Sequence, residues 1–153
     1  MSLKKYNEKL FLDIDQYGYC NNVFYNGQQR PALIYESEID EVINALGRKK
    51  DKIMLEYGCG GSTIIFSQFA KKIYSVETSN FWFEKTKNFL DKNNIKNVNI
   101  LKNYGSLNEN IDRFDVVFID GTSRAQSLKD LIGNKKIDNE TLIFFHDCLK
   151  YQS

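Results

Sequence analysis

Ile53-Met54-Leu55-Glu56-Tyr57-Gly58-Cys59-Gly60-Gly61-Ser62-Thr63 is the stretch whose reading decides the fold. Ile53 to Leu55 is a short apolar run of the kind carried by a strand covered on both faces. Gly58, Gly60 and Gly61 follow, and glycines admit backbone angles that other residues avoid and let a ligand approach bare backbone. Ser62 or Thr63 then offers a hydroxyl to cap the next helix, whose unbonded N–H groups face the same crevice. Strand, glycine turn and helix in this order are where open α/β sheets hold cofactors, beyond the carboxyl ends of the strands.

The pattern repeats outward from that turn. Upstream, Ser37 opens a helix whose apolar stripe is Ile39, Val42, Ile43 and Leu46, with Gly47 placed to end it. Arg48-Lys49-Lys50 reads as a solvated loop into the first strand. Downstream, Ile64, Ile65, Phe66 and Phe69 suit a helix packed on the sheet. The second strand is Ile73-Tyr74-Ser75-Val76-Glu77. A helix capped by Ser79 or Asn80 runs to about Asn93, burying Trp82, Phe83, Phe89 and Leu90. Val98 to Leu101 is the third strand and Phe114 to Asp120 the fourth. Ala125, Leu128, Leu131 and Ile132 form a further helical stripe closed by Gly133, and Thr141 to Phe145 is the fifth strand, ending at His146-Asp147. Strands alternating with helices through right-handed crossovers give an α/β fold with a doubly wound, mainly parallel sheet. Residues 1–35 are aromatic and amide-rich without a clean period, and Pro31 marks a break. They form an N-terminal arm or lid before a domain spanning 36–153.

With 153 residues the chain is sized for one domain and one sizeable core. Lys and Arg number 21 against 20 Asp and Glu, so no electrostatic footprint for nucleic acid follows. Cys20, Cys59 and Cys148 lack metal-ligand spacing and read as free thiols in a reducing compartment. No apolar run is long enough for a membrane span, and the first residues lack a signal-peptide core. The expected address is cytoplasmic, with no membrane partner.

Glu77 ends the second strand and can accept hydrogen bonds from both ribose hydroxyls of an adenosine cofactor. That logic serves nicotinamide cofactors as well, but their Gly-x-Gly-x-x-Gly fingerprint has Thr63 at its last position here. Glu56 would also repel a pyrophosphate, whereas a carboxylate suits a cationic group. Glu56-Tyr57-Gly58-Cys59-Gly60 resembles the acid-x-Gly-x-Gly motif of the class I S-adenosylmethionine-dependent methyltransferases. The family often places a third glycine where Ser62 stands; here it falls one place earlier, at Gly61. The resemblance covers roughly 36–148. It implies a Rossmann-like sheet of strand order 3-2-1-4-5, with S-adenosylmethionine held by Glu56, Tyr57, Gly58, Gly60, Gly61, Ser62, Thr63, Glu77, Thr78 and Asp120. It further implies a sixth and a seventh strand. The chain ends eight residues after Phe145, so either it is cut short or the arm or another subunit covers the exposed edge, as in a homo-oligomer.

On the acceptor side, Asp120-Gly121 takes the place of the family's fourth motif, and it lacks the Asp/Asn-Pro-Pro-aromatic form of base-amino methyltransferases. His146 is the only histidine, and a group of its ordinary pKa can take a proton from an acceptor hydroxyl at neutral pH. Asp120 and His146 are therefore the candidate catalytic residues. The implied acceptor is a hydroxyl on a sugar or other small molecule, since the Asp120 and His146 surroundings also resemble sugar-directed methyltransferases. Asp120 and Asp147 could together hold a divalent metal. The further Asp or Asn of metal-dependent relatives is Cys148 here, so no metal ligands are assigned. A nicotinamide oxidoreductase remains the alternative enzyme, although no Tyr-x-x-x-Lys spacing follows the fourth strand. A non-catalytic binding module on the same fold is the other alternative.

Overall fold

The computed structural model describes residues 24–25, 28–29, 36–107, 110–120, 124–133 and 135–146. Within the arm, Phe24–Tyr25 pairs antiparallel with Gln28–Gln29. The rest of 1–35, together with Gly121 to Ser123, Asp147 and Cys148, lies outside the described residues.

Five strands make one parallel sheet: β1 (Ile53–Tyr57), β2 (Lys72–Val76), β3 (Val98–Leu101), β4 (Val116–Ile119) and β5 (Leu142–Phe145). Their order is β3-β2-β1-β4-β5, as the family resemblance implies. The helices are α1 (Glu36–Leu46), α2 (Gly61–Ser67), α3 (Asn80–Lys92) and α4 (Arg124–Ile132). β1 is central and apolar residues are needed on both its sides. Met54 joins α1, α2 and β4 in one buried cluster, while Leu55 and Tyr57 join Val117, Ile119 and Leu131 in the opposite one. Each fully buried Leu, Ile or Phe of these clusters stabilises the fold by about 1.5–3 kcal/mol.

Helix ends follow backbone logic. Gly47 takes φ 72° past α1, and its N–H donates to Ile43 O at 2.9 Å. Ser79 caps α3 by accepting from Trp82 N. Asn94 follows α3 at φ 54°, and the Ile95 N–H reaches back to Leu90 O at 2.9 Å, a Schellman closure with asparagine in the left-handed place.

Two sequence expectations change. The α2 helix starts at Gly61, so Ser62 and Thr63 lie inside it and neither is its N-cap residue. On α4 the buried positions are Ser127 and Leu131, with Leu128 half-buried; Ala125 is exposed and Ile132 is 73% exposed. Of the α4 side chains, Leu131 is the one that joins the buried cluster of β1 and β4, so Ala125 and Ile132 fall off the face that packs on the sheet. β5 is the sheet's edge among the described residues, as the expected strand order implies, and Leu142 and Ile143 on it are exposed.

Candidate cofactor and acceptor site

β1 and β2 end side by side, and a carboxylate near the end of each, Glu56 and Glu77, locks the glycine turn. Glu56 is fully buried beneath it. Its Oε1 accepts from the Ser62 hydroxyl at 2.6 Å, and its Oε2 accepts from Thr63 at 2.6 Å and Ser75 at 2.9 Å. The Thr63 hydroxyl in turn accepts from the Gly60 N–H at 3.0 Å. One carboxylate thus organises the turn, the first turn of α2 and the neighbouring strand. Burial raises its pKa to about 7 against the pull of those hydroxyls, with Asp120 adding repulsion.

Glu77 follows β2 and closes the other side. Its Oε2 accepts from Cys59 N at 3.0 Å and its Oε1 from Ser79 N at 2.7 Å. Each oxygen keeps capacity for a second bond, and the residue is 8% exposed. Gly58 supplies the reversal: it sits at φ 91°, in the region where only glycine is unstrained, and its N–H donates to Val76 O. Gly60, at φ 163°, is ordinary extended backbone. Cys59 fastens the turn to α3 through Trp82 O and the Thr86 hydroxyl, and burial pushes its thiol pKa up.

Tyr57 ends β1 on the opposite face. Its hydroxyl is buried and has no hydrogen-bond partner among the described residues, and burial, with Asp130 and Tyr104 nearby, pushes its pKa up. Thr78 is exposed beside Glu77.

On the acceptor side, Asp120 N donates to Tyr57 O and His146 N donates to Ile119 O, so both residues stand at adjacent strand ends. Arg124 lies 3.5 Å from Asp120 Oδ1. His146 is buried against Phe118, and its Nδ1 lies 3.0 Å from Glu38 Oε2. The alternation that buries Leu55 and Tyr57 on one face turns Glu56, Phe118 and His146 to the other, the face of α1 and α2. Among the described residues no three His, Cys, Asp or Glu side chains form a metal-ligand group; Asp147 lies outside them.

The sequence reading named Glu56 but not its partner Ser75. A serine inside an otherwise apolar strand, beside a strand carrying an acid, was the available signal. Glu38 gave none, because its partner is 108 residues away.

A five-stranded parallel sheet ordered β3-β2-β1-β4-β5, with a glycine turn after β1 and a carboxylate after β2, is the architecture of the class I S-adenosylmethionine-dependent methyltransferases, and the chain is similar to members of that family in sequence as well as in fold. No protein-family model matches it. It is 32% identical over 111 residues to a probable cobalt-precorrin-6B C(15)-methyltransferase (decarboxylating) of Methanocaldococcus jannaschii, a match covering 69% of this chain and 60% of that one. The chain therefore spans about three-fifths of that relative's length. Among solved structures, precorrin 8W decarboxylase of Methanobacterium thermoautotrophicum superposes with TM-score 0.58 at 14% identity, over 84% of this chain and 66% of that one. Precorrin-6y C5,15-methyltransferase of Geobacter metallireducens does so with TM-score 0.56 at 20% identity, over 70% and 60%. These two likenesses concern the fold. No described helix is long and apolar enough to cross a membrane.

Proposed function

We propose that the chain binds S-adenosylmethionine across the carboxyl ends of β1 and β2 and transfers its methyl group to an acceptor above β4 and β5. The observation that carries this is Glu77. It stands at the strand end with both oxygens already aimed by Cys59 N and Ser79 N, and each keeps capacity for a ribose hydroxyl. The buried Tyr57 hydroxyl, without a hydrogen-bond partner among the described residues, also fits a ligand-facing role. Glu56, Ser62 and Thr63 would act from below, by holding the turn in shape, while Gly58, Gly60, Gly61 and Thr78 line it. Bound S-adenosylmethionine would supply an electrophilic methyl carbon on a sulfonium. The protein's part is to align the acceptor with that carbon and to receive the proton released.

For the acceptor, the kinship with cobalt-precorrin-6B C(15)-methyltransferases supports a carbon of a precorrin-type tetrapyrrole, and the proposal covers the methyl transfer alone. The second reading, a hydroxyl on a sugar or other small molecule, is favoured by the imidazole of His146 beside Asp120 at the strand ends, a base suited to an O–H. S-adenosylhomocysteine release, measured with cobalt-precorrin-6B and separately with catechol, tests both. Turnover of the tetrapyrrole alone supports the first reading, turnover of catechol alone supports the second, and absence of both leaves the binding-module alternative.

A further inference from the structure

The imidazole of His146 is wedged between Phe118, 6.5 Å away between ring centroids, and Glu38, whose Oε2 lies 3.0 Å from Nδ1. An ionised carboxylate has lone pairs and no proton to give. The contact is therefore a hydrogen bond only when Nδ1 carries the proton. Nε2 then becomes the nitrogen at which a proton is taken up or released. Glu38 is firmly placed for this. It lies in the first turn of α1, and the next residue, Ile39, opens the stripe Ile39, Val42, Ile43 and Leu46 that buries the helix on the sheet. The backbone of His146 is pinned in turn by its bond to Ile119 O, next to Asp120.

We propose that Glu38 is the positioning residue for His146, fixing the tautomer in which Nε2 receives the proton released by methyl transfer. This rests on the methyltransferase reading above. With a hydroxyl acceptor, the oxygen pair forms the O–CH3 bond, the S–C pair stays with sulfur, and the O–H proton moves to Nε2. With a tetrapyrrole carbon, a ring π pair forms the C–CH3 bond, the S–C pair again stays with sulfur, and the N–H or C–H proton lost from the methylated macrocycle takes the same place. In both cases the Glu38 carboxylate stabilises the imidazolium that results.

The chain has one histidine, so the two imidazole nitrogens of 15N-labelled full-length protein give resonances that need no further assignment. The neutral ring of the wild type should carry its proton on Nδ1, and in Glu38→Ala the tautomer should shift toward Nε2–H. A wild-type ring protonated on Nε2, or a Glu38→Ala protein with an unchanged tautomer, overturns the proposal. Circular dichroism of Glu38→Ala guards against a folding defect, and the wild-type tautomer tests the pairing without any variant. With whichever of cobalt-precorrin-6B or catechol supports wild-type turnover, kcat of Glu38→Ala should fall on the order of 10²-fold, with KM for S-adenosylmethionine within about twofold. Unchanged kcat overturns the positioning role. If the wild type turns over neither acceptor, the methyl-transfer reading fails and takes the catalytic half of the proposal with it, while the tautomer result still decides whether Glu38 sets the ring.

Discussion

Glu56 is a carboxyl with no exposure and three hydroxyl donors, and the balance between those facts sets its behaviour with pH. Burial outweighs the hydroxyl bonds and lifts it from the ordinary 4.5 to about 7. The folded protein then keeps a proton that the unfolded chain has released throughout that interval. This group's contribution to stability is present below the lower value and is lost as pH rises through the upper one. Glu56→Gln keeps an acceptor for the hydroxyls and removes the titration. Relative to that variant, wild-type stability in urea should decline between pH 5 and pH 8 by up to about 3 kcal/mol. A difference that stays flat with pH would mean that Glu56 titrates as an ordinary carboxyl. None of this was legible in the motif. The sequence shows an acid two places before a glycine, but whether it points at a ligand or downward into hydroxyls depends on strand register, which pairs Glu56 with Ser75.

At the scale of elements, the alternation of strand and helix was plain because the buried strands carry apolar runs, Ile53 to Leu55 in β1 and Val116 to Ile119 in β4. Helices told less. On α4, Leu131 and Ile132 look alike in sequence, and only packing separates them. Leu131→Ala should cost about 2–5 kcal/mol, whereas Ile132→Ser should stay within about 0.5 kcal/mol of wild type. Equal losses in thermal or urea melts would show that α4 buries another face. The end of α3 makes a second test. Asn94 holds a left-handed angle that glycine adopts at no steric cost, so Asn94→Gly should leave stability unchanged or raise it by up to about 1 kcal/mol. A clear loss would mean that the asparagine side chain, rather than the backbone angle, holds the closure. β5 is the edge that the order of strands predicted. Its Leu142 and Ile143 are exposed there among the described residues. An apolar edge of this kind is where further chain or another subunit would pair.

For the molecule as a whole, the two ends of the sheet do different work. At the amino ends of the strands, Arg113 joins Asp115, Asp138 and Glu140, and Asp115 also accepts the first N–H of β1, so that end is tied together electrostatically. At the carboxyl ends stand Glu56, Glu77, Asp120 and His146, on the side of the sheet where open α/β folds hold ligands. Strand order and the glycine turn point to where a cofactor would bind, and the claim that matters most there is that Glu77 holds its ribose hydroxyls. Calorimetric titration of the wild type with S-adenosylmethionine, with NAD as the competing ligand and Glu77→Ala as the variant, tests that claim most directly. Binding of S-adenosylmethionine and none of NAD is expected, since Glu56 would repel a pyrophosphate and Thr63 stands at the last glycine of the nicotinamide fingerprint. Glu77→Ala should lose roughly 1.5–3 kcal/mol per hydrogen bond to the charged group, equivalent to at least a tenfold weaker Kd. Equal affinity of wild type and Glu77→Ala for S-adenosylmethionine, or preferential binding of NAD, would contradict it.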